Sequence, residues 1–83
     1  MSKNLRQDYA LLYPIEGVGR VIDTLSIRRL KIKDQRAIAN ISDVQERGIK
    51  LAQMACGLAP EEMDEMDQAD FLAVQEILEG FLS

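Results

Sequence analysis

Histidine is absent from this 83-residue sequence, and cysteine occurs once, at Cys56. Without imidazole, the chain lacks the commonest metal ligand and the commonest general base of enzymes, which excludes most hydrolase mechanisms. A single thiol cannot form an intramolecular disulfide bond, and it cannot build a thiolate metal site alone. This cysteine usage is typical of a reducing compartment, so we expect a cytoplasmic protein.

Long hydrophobic runs are also missing, because no apolar stretch approaches the roughly 20 residues of a membrane-spanning helix. Residues 1–10 mix Lys3, Arg6 and Asp8 with polar neighbours and lack the apolar core of a signal peptide. We therefore expect neither secretion nor membrane insertion. The length and the 47% hydrophobic content favour one small folded domain over residues 1–83, which would gain stability from oligomerisation or from a partner.

Basic residues are absent from the C-terminal part of the chain. Residues 1–50 carry all ten Lys and Arg with six acids, whereas residues 51–83 carry eight acids and no base. The two parts therefore have net charges of +4 and −8, which together make the −4 of the whole chain. Segregated charges of this kind can steer association with a partner or produce head-to-tail self-association. A solvated acidic surface that keeps a small protein in solution is the alternative.

The first third of the chain has the pattern of a β-hairpin. An apolar run over residues 9–15 is separated from a second run, over residues 21–30, by a turn that contains Gly17 and Gly19. Glycine tolerates the positive φ that such a turn requires. We therefore predict a hairpin over residues 9–30. In its second strand, strict alternation would put Leu25 and Ile27 on one side and Ile22 on the other, with neither side purely apolar.

From Asp34 onward the hydrophobic period changes from two to about 3.6, which predicts three to four short helices over residues 34–82. The fold class is therefore α+β, mainly α. The predicted helix signals are an Asp34 cap before 35–41, a Ser42 capping box that begins the second helix, a Gly57 stop, a Pro60 start, and an Asp67 cap before 68–82.

Two of the predicted helices carry wide apolar arcs. The arc of the last helix leaves out Leu72, which makes this residue a candidate for contact with another chain. A singly exposed leucine without a role is the alternative. The second helix has an arc so wide that it implies contact with more than one neighbour. The arc of the second helix includes Val44, Gly48, Ala52 and Ala55, and that of the last helix includes Phe71, Val74, Ile77, Leu78, Phe81 and Leu82.

A basic cluster precedes the second helix, and it invites comparison with DNA readers of the helix-turn-helix type. Few bases follow it in that helix, and the chain is acidic overall, which disfavours nucleic acid as a partner. We retain a small DNA-binding regulator as the alternative function. The cluster comprises Arg28, Arg29, Lys31, Lys33 and Arg36.

Carboxylates are concentrated over residues 64–70, a composition that suggests a calcium loop. The segment lacks both the central glycine and the later bidentate glutamate of an EF-hand. We therefore expect no metal site.

The order of several short motifs resembles the tail assembly chaperones of Mu-like and related contractile-tailed bacteriophages, over about residues 11–82. Three positions depart from the family pattern: Ile27 replaces a leucine, residues 31–33 stand where a proline is frequent, and Met66 replaces a leucine. The motifs are Tyr13-Pro14-Ile15 before a glycine turn, residues 24–29, Asp34, residues 49–52, Cys56-Gly57-Leu58, and residues 66–71.

This resemblance implies a non-enzymatic protein without cofactor, which acts in the host cytoplasm. Such a protein escorts the phage tape measure protein while the tail tube polymerises, and it is absent from the finished virion. Members of the family are often made in two lengths by programmed frameshifting, the longer form having an added C-terminal segment.

An escort of this kind needs exposed apolar residues and adaptable methionines. We therefore expect Leu72, Met63 and Met66 to contact the tape measure protein. Core packing explains the two methionines equally well. The expected solvating rim of this surface comprises Glu61, Glu62, Asp64 and Glu65.

Overall fold

The computed structural model of the chain describes residues 6–17 and 19–82, so Val18 of the predicted turn lies outside the described residues. An N-terminal antiparallel hairpin is followed by four helices, which confirms the predicted α+β class. The elements are β1 (Arg6–Gly17), β2 (Arg20–Arg28), α1 (Ile32–Ala37), α2 (Val44–Cys56), α3 (Pro60–Asp64) and α4 (Gln68–Gly80).

The hairpin contains a large bulge in β1. Ala10 pairs with Thr24, but the next pair along the ladder joins Ile15 to Ile22. Residues 11–14 of β1 therefore stand opposite a single residue of β2. Extra residues in one strand interrupt the hydrogen-bond ladder, bend the strand and increase its twist. The proline within 11–14 has no N–H to donate, so it is tolerated at this position.

The bulge changes which residues of β2 are buried. Ile22, Leu25 and Ile27 are all buried in one hydrophobic cluster. The prediction that Ile22 lies on the side opposite Leu25 and Ile27 is therefore wrong. The alternation breaks between these residues at the level of the bulge, where the added twist turns the strand.

The core lies between the hairpin and the helices. α2 packs against β2, while α3 and α4 pack against β1. Small residues of α2 let its backbone approach the sheet, and a fully buried valine of α4 fills the space beside it. The buried cluster comprises Leu11, Ile15, Ile22, Leu25, Ile27, Ala52, Ala55, Leu58, Met63 and Val74.

Three predicted helix signals are confirmed. The Asp67 side chain accepts a hydrogen bond from the Ala69 amide at 2.9 Å and caps α4. Gly57 ends α2 in the left-handed conformation, with φ of 68°. Pro60 is the first residue of α3, where its missing N–H costs no intrahelical hydrogen bond.

Two predicted caps are wrong. Asp43, not Ser42, caps α2, because its carboxylate accepts from the Glu46 amide at 3.0 Å. α1 begins at Ile32, so Asp34 lies inside the helix at its third position instead of before it.

Each predicted apolar arc includes one residue, at an end of its helix, that is exposed in the structure. Leu82 lies beyond the last residue of α4 and is 81% exposed. Val44 begins α2 and is 79% exposed, since the buried residues of this helix, Ala52 and Ala55, lie in its C-terminal half. The first turn of α2 therefore projects past the core.

Candidate functional site

Three buried carboxylates, Asp34, Glu62 and Asp70, join helices α1, α3 and α4 to the hairpin. Asp70 of α4 is fully buried beneath the β1 bulge. Its Oδ1 accepts from the Tyr9 hydroxyl at 2.7 Å and the Leu12 amide at 2.9 Å, while its Oδ2 accepts from the Tyr13 amide at 3.1 Å. These bonds satisfy backbone donors that the interrupted ladder leaves unpaired. Burial opposes ionisation of Asp70, but the three hydrogen bonds outweigh it and lower the pKa of the carboxyl.

Glu62 of α3 holds the turn of the hairpin. Its carboxylate accepts from Nε and Nη2 of Arg20 at 2.9 and 2.7 Å, and from the Ala59 amide at 3.0 Å. A Cβ atom at Gly17 would overlap this carboxylate, so the contact requires glycine in β1. The prediction that Glu62 belongs to a solvating rim is therefore wrong, because the side chain is buried against the hairpin.

Asp34 of α1 binds the end of β2. Nη1 and Nη2 of Arg28 each lie 2.8 Å from one carboxylate oxygen, and the Lys31 amide donates to the same carboxylate at 2.8 Å. The hydrogen bonds from Arg28, helped by the one from Lys31, lower the pKa of Asp34 to about 2 against the opposing effect of burial.

The predicted basic cluster is partly consumed by these internal contacts. Arg28 is paired with Asp34. Arg29 donates to the Phe81 carbonyl at 2.6 Å, and its guanidinium lies 5.4 Å from the centre of the Phe81 ring. Lys33 and Arg36 remain exposed on α1, as does Lys31 immediately before it. Two of the five bases proposed for phosphate contact thus hold the fold together, which weakens the DNA-binding alternative.

An open groove lies between the N-terminal halves of α2 and α4, with α3 at one end. Its volume is about 520 Å³. Leu72, Met63 and Met66, which the sequence nominated from different segments, all line it. The remaining lining residues are Val44, Gln45, Gly48, Ile49, Asp64, Gln68, Phe71 and Gln75.

The three nominated residues occupy different depths of this groove. Leu72 is 59% exposed, as its place outside the apolar arc predicted. Met66 is half-buried. Met63 is only 6% exposed, so the prediction of an exposed Met63 is wrong. It belongs to the hydrophobic core, although part of its surface lines the groove.

The sequence analysis did not nominate Val44 and Gly48 for the binding surface. It placed both in the wide apolar arc of the second helix, and both line the open groove. The available signal was the width of that arc. When the apolar stripe of a helix is too wide to be covered by one neighbouring helix or strand, part of that stripe must face a second surface.

The groove is largely apolar, with three glutamines and a single charged residue, Asp64, in its lining. No Lys or Arg occurs among the described residues that line it. Two further acids, Glu61 and Glu65, are exposed on the adjoining segment, and they line a separate hollow beside Gly17. The α3 side of the groove is therefore acidic, whereas on the α2 side the exposed Arg47 is next to the lining residue Gly48.

Reactive groups elsewhere are few. Burial raises the pKa of the half-buried Cys56 thiol to about 11, so its thiolate is scarce near neutral pH. Within residues 6–17 and 19–82, no cluster of three or more His, Cys, Asp or Glu could hold a metal ion. No helix in this described part of the chain has the length and apolarity needed to cross a membrane.

Comparison with curated proteins gives no match, and comparison with solved structures gives none either. One protein-family model, described as "Phage tail assembly chaperone proteins, E, or 41 or 14", matches residues 8–83. The match includes nearly all of the hairpin, the four helices and the groove. It confirms the resemblance that the motifs over residues 11–82 indicated. The chain therefore belongs to the phage tail assembly chaperone family.

Proposed function

We propose that this protein binds the phage tape measure protein during assembly of the tail and performs no catalysis. The observation that carries the proposal is the family match over residues 8–83, because a tail assembly chaperone must bind a tail protein. The tape measure protein is the tail component that the resemblance implies. We place this action in the host cytoplasm, with release before the virion is complete.

The structure supports binding over catalysis. Each of the three buried carboxylates, Asp34, Glu62 and Asp70, is engaged in hydrogen bonds that hold the hairpin to a helix. The groove between α2 and α4 is open and largely apolar, and two methionines contribute to it. Flexible methionines adapt to partners of varied shape, which suits repeated weak contacts along a long client.

Self-association is part of the proposal. The +4 charge of residues 1–50 and the −8 charge of residues 51–83 are complementary between copies. Three exposed bases at and just before α1 are available for such contacts: Lys31, Lys33 and Arg36. Head-to-tail contacts need not close into a ring, so open oligomers are expected. Sedimentation should show oligomers that weaken as salt rises through about 0.15 M, where exposed charges are screened beyond about 8 Å. A strict monomer at low salt and high protein concentration would contradict this part.

Co-expression with fragments of the tape measure protein, followed by pull-down, tests the main proposal. We expect retention of tape measure fragments and no retention of a tail tube protein used as control. Binding to random duplex DNA, measured at two salt concentrations, tests the alternative, since several phosphate contacts would give a steep salt dependence. Salt-sensitive DNA binding without tape measure retention would overturn the proposal.

A further inference from the structure

We propose that the groove between α2 and α4 is the docking site for one amphipathic α-helix whose apolar stripe is flanked by Lys or Arg. The assignment of this helix to the tape measure protein rests on the proposed function. The helical form and the flanking charge of the partner are inferred from the shape and the charge of the groove.

The shape of the groove matches a helix. Val44 and Gly48 are one turn apart on α2, and Gln68 and Leu72 are one turn apart on α4. Two such i, i+4 rows form the walls of a channel into which the ridge of a third helix can pack. The α4 wall extends to Gln75, which corresponds to about two helical turns, roughly 10 Å at 1.5 Å per residue. The partner therefore needs an apolar i, i+3, i+4, i+7 stripe.

Large apolar side chains stand exposed on both walls. Val44 on α2 and Leu72 on α4 have most of their surface accessible, although they line the same concavity. Met66 and Phe71 line the same groove and are half-buried, and the core residue Met63 also contributes to it. Exposed apolar surface that converges on one groove is typical of a binding site, whereas scattered apolar residues are not. An occupant would remove this surface from water.

Gly48 keeps the α2 wall open, and internal packing does not require it. A glycine inside a helix destabilises it by about 0.5–1 kcal/mol relative to alanine. A Cβ atom at Gly48 would meet only the flexible end of Gln75, at an ordinary contact distance of 3.6 Å. Gly17 differs, because a Cβ atom there would overlap Glu62. The absence of a side chain at Gly48 therefore serves close approach from outside the chain.

Acidic residues at the groove determine which flanking charges a bound helix can carry. Asp64 lines the groove, and the exposed Glu61 and Glu65 lie on the adjoining segment. On α2 the acids Asp43 and Glu46 are offset by Arg47 and Lys50, so the net negative charge lies on the side of α3 and α4, where the described residues include no Lys or Arg. A helix with Lys or Arg beside its apolar stripe is complementary to this negative charge, and a helix with Glu or Asp there is repelled. The groove therefore distinguishes two amphipathic helices of equal hydrophobicity by their flanking charge.

The direct test uses synthetic peptides and needs no phage component. A fluorescent peptide of about 15–18 residues, long enough to form a helix, carries an apolar stripe with flanking lysines. A matched peptide has glutamates in place of the lysines, and a third has the lysine sequence scrambled. We expect at least about tenfold tighter binding of the lysine peptide, equivalent to about 1.4 kcal/mol. Equal binding of the lysine and glutamate peptides would overturn the assignment of charge.

Substitutions in the groove test whether the peptide binds there. Leu72→Asp and Val44→Asp should each weaken binding of the lysine peptide about tenfold or more, since they place a charge in the apolar contact. Leu12→Asp, at an exposed position of the hairpin outside the groove lining, is the matched control and should change affinity less than about twofold. Gly48→Leu fills the groove without added charge and should also weaken binding. Unchanged affinity in the folded groove variants would overturn the proposal.

The same variants tested against tape measure fragments separate the two proposals. If the unmodified protein retains a fragment and Leu72→Asp retains it equally, the groove assignment fails while the proposed function stands. If the unmodified protein binds the lysine peptide through the groove but retains no fragment, the proposed function fails and the chemistry of the groove stands.

Discussion

The hydroxyl group of Tyr9 in β1 donates a 2.7 Å hydrogen bond to the buried carboxylate of Asp70 in α4, which joins two residues 61 positions apart in the chain. The same carboxylate accepts the amides of Leu12 and Tyr13 from the bulge. Over this part of β1, the Asp70 carboxylate thus accepts hydrogen bonds from amides that the interrupted ladder leaves without a partner in β2. The geometry of the bulge depends on a side chain of the last helix.

The stability of the fold should therefore depend on Asp70 far more than on its neighbour Asp67. Asp70→Ala leaves several donors without their acceptor and should lower the free energy of unfolding by about 2–4 kcal/mol. Asp67→Ala removes only an exposed helix cap, which costs about 1 kcal/mol. Urea denaturation of both variants measures the difference. An equal loss in the two variants would mean that the bulge does not need the buried carboxylate.

Acid should destabilise the protein through Asp34. Its pKa is about 2 in the folded state, below the ordinary aspartate value of 3.8, so the folded state favours the ionised form. The resulting stability is present in full above about pH 5 and is lost as pH falls from about 4 through 2. Asp34→Asn lacks this ionisation, so its stability should fall less over that range. Urea midpoints of both proteins between pH 6 and pH 2 should therefore converge, and parallel curves would contradict the assignment.

Substitution of glycine by alanine should have opposite effects at different positions. Gly48→Ala should raise the free energy of unfolding by about 0.5–1 kcal/mol, because the position is helical and has room for a methyl group. Gly57→Ala should lower it by about 1 kcal/mol, since φ there is 68°. Gly17→Ala should also destabilise, because the methyl group would displace Glu62. Thermal melts rank the three variants, and destabilisation by Gly48→Ala would show that packing requires this glycine.

Glu61 and Glu62 are adjacent acids that should respond differently to substitution. Glu62→Ala removes the acceptor for Arg20 and for the Ala59 amide, and should cost about 2–4 kcal/mol. Glu61→Ala removes an exposed charge and should change stability by less than about 0.5 kcal/mol. Chemical denaturation compares the pair. A small effect at Glu62 would mean that the turn of the hairpin is held by other contacts.

The exposure of one groove residue was predictable from the sequence, but the burial of another and the rest of the lining were not. The helical wheel correctly placed Leu72 outside the apolar arc, because periodicity alone decides which side of a helix a residue occupies. The burial of Met63 was not predictable, since methionine suits a core and a binding surface equally well. The contributions of Val44 and Gly48 emerged only when α2 and α4 were placed side by side.

The local features of this protein can be read directly from its amino-acid sequence. The two-residue and 3.6-residue periods separate the hairpin from the helices, and the conformational preferences of Gly57, Pro60 and Asp67 set the ends of three of those helices. The motif order was sufficient to indicate the family. These features depend on interactions within a few residues, so they are readable along the chain.

Which carboxylates are buried and hold the helices to the hairpin is visible only in the folded protein. Asp70 and Asp67 are the same residue type, three positions apart, and so cannot be distinguished by propensity. One is buried beneath a bulge 57–61 positions away, while the other caps a helix in water. Glu62 likewise differs from Glu61 through Arg20, 42 positions distant. Burial and pairing across such distances depend on how the hairpin lies against the helices, and no local pattern in the chain carries that information.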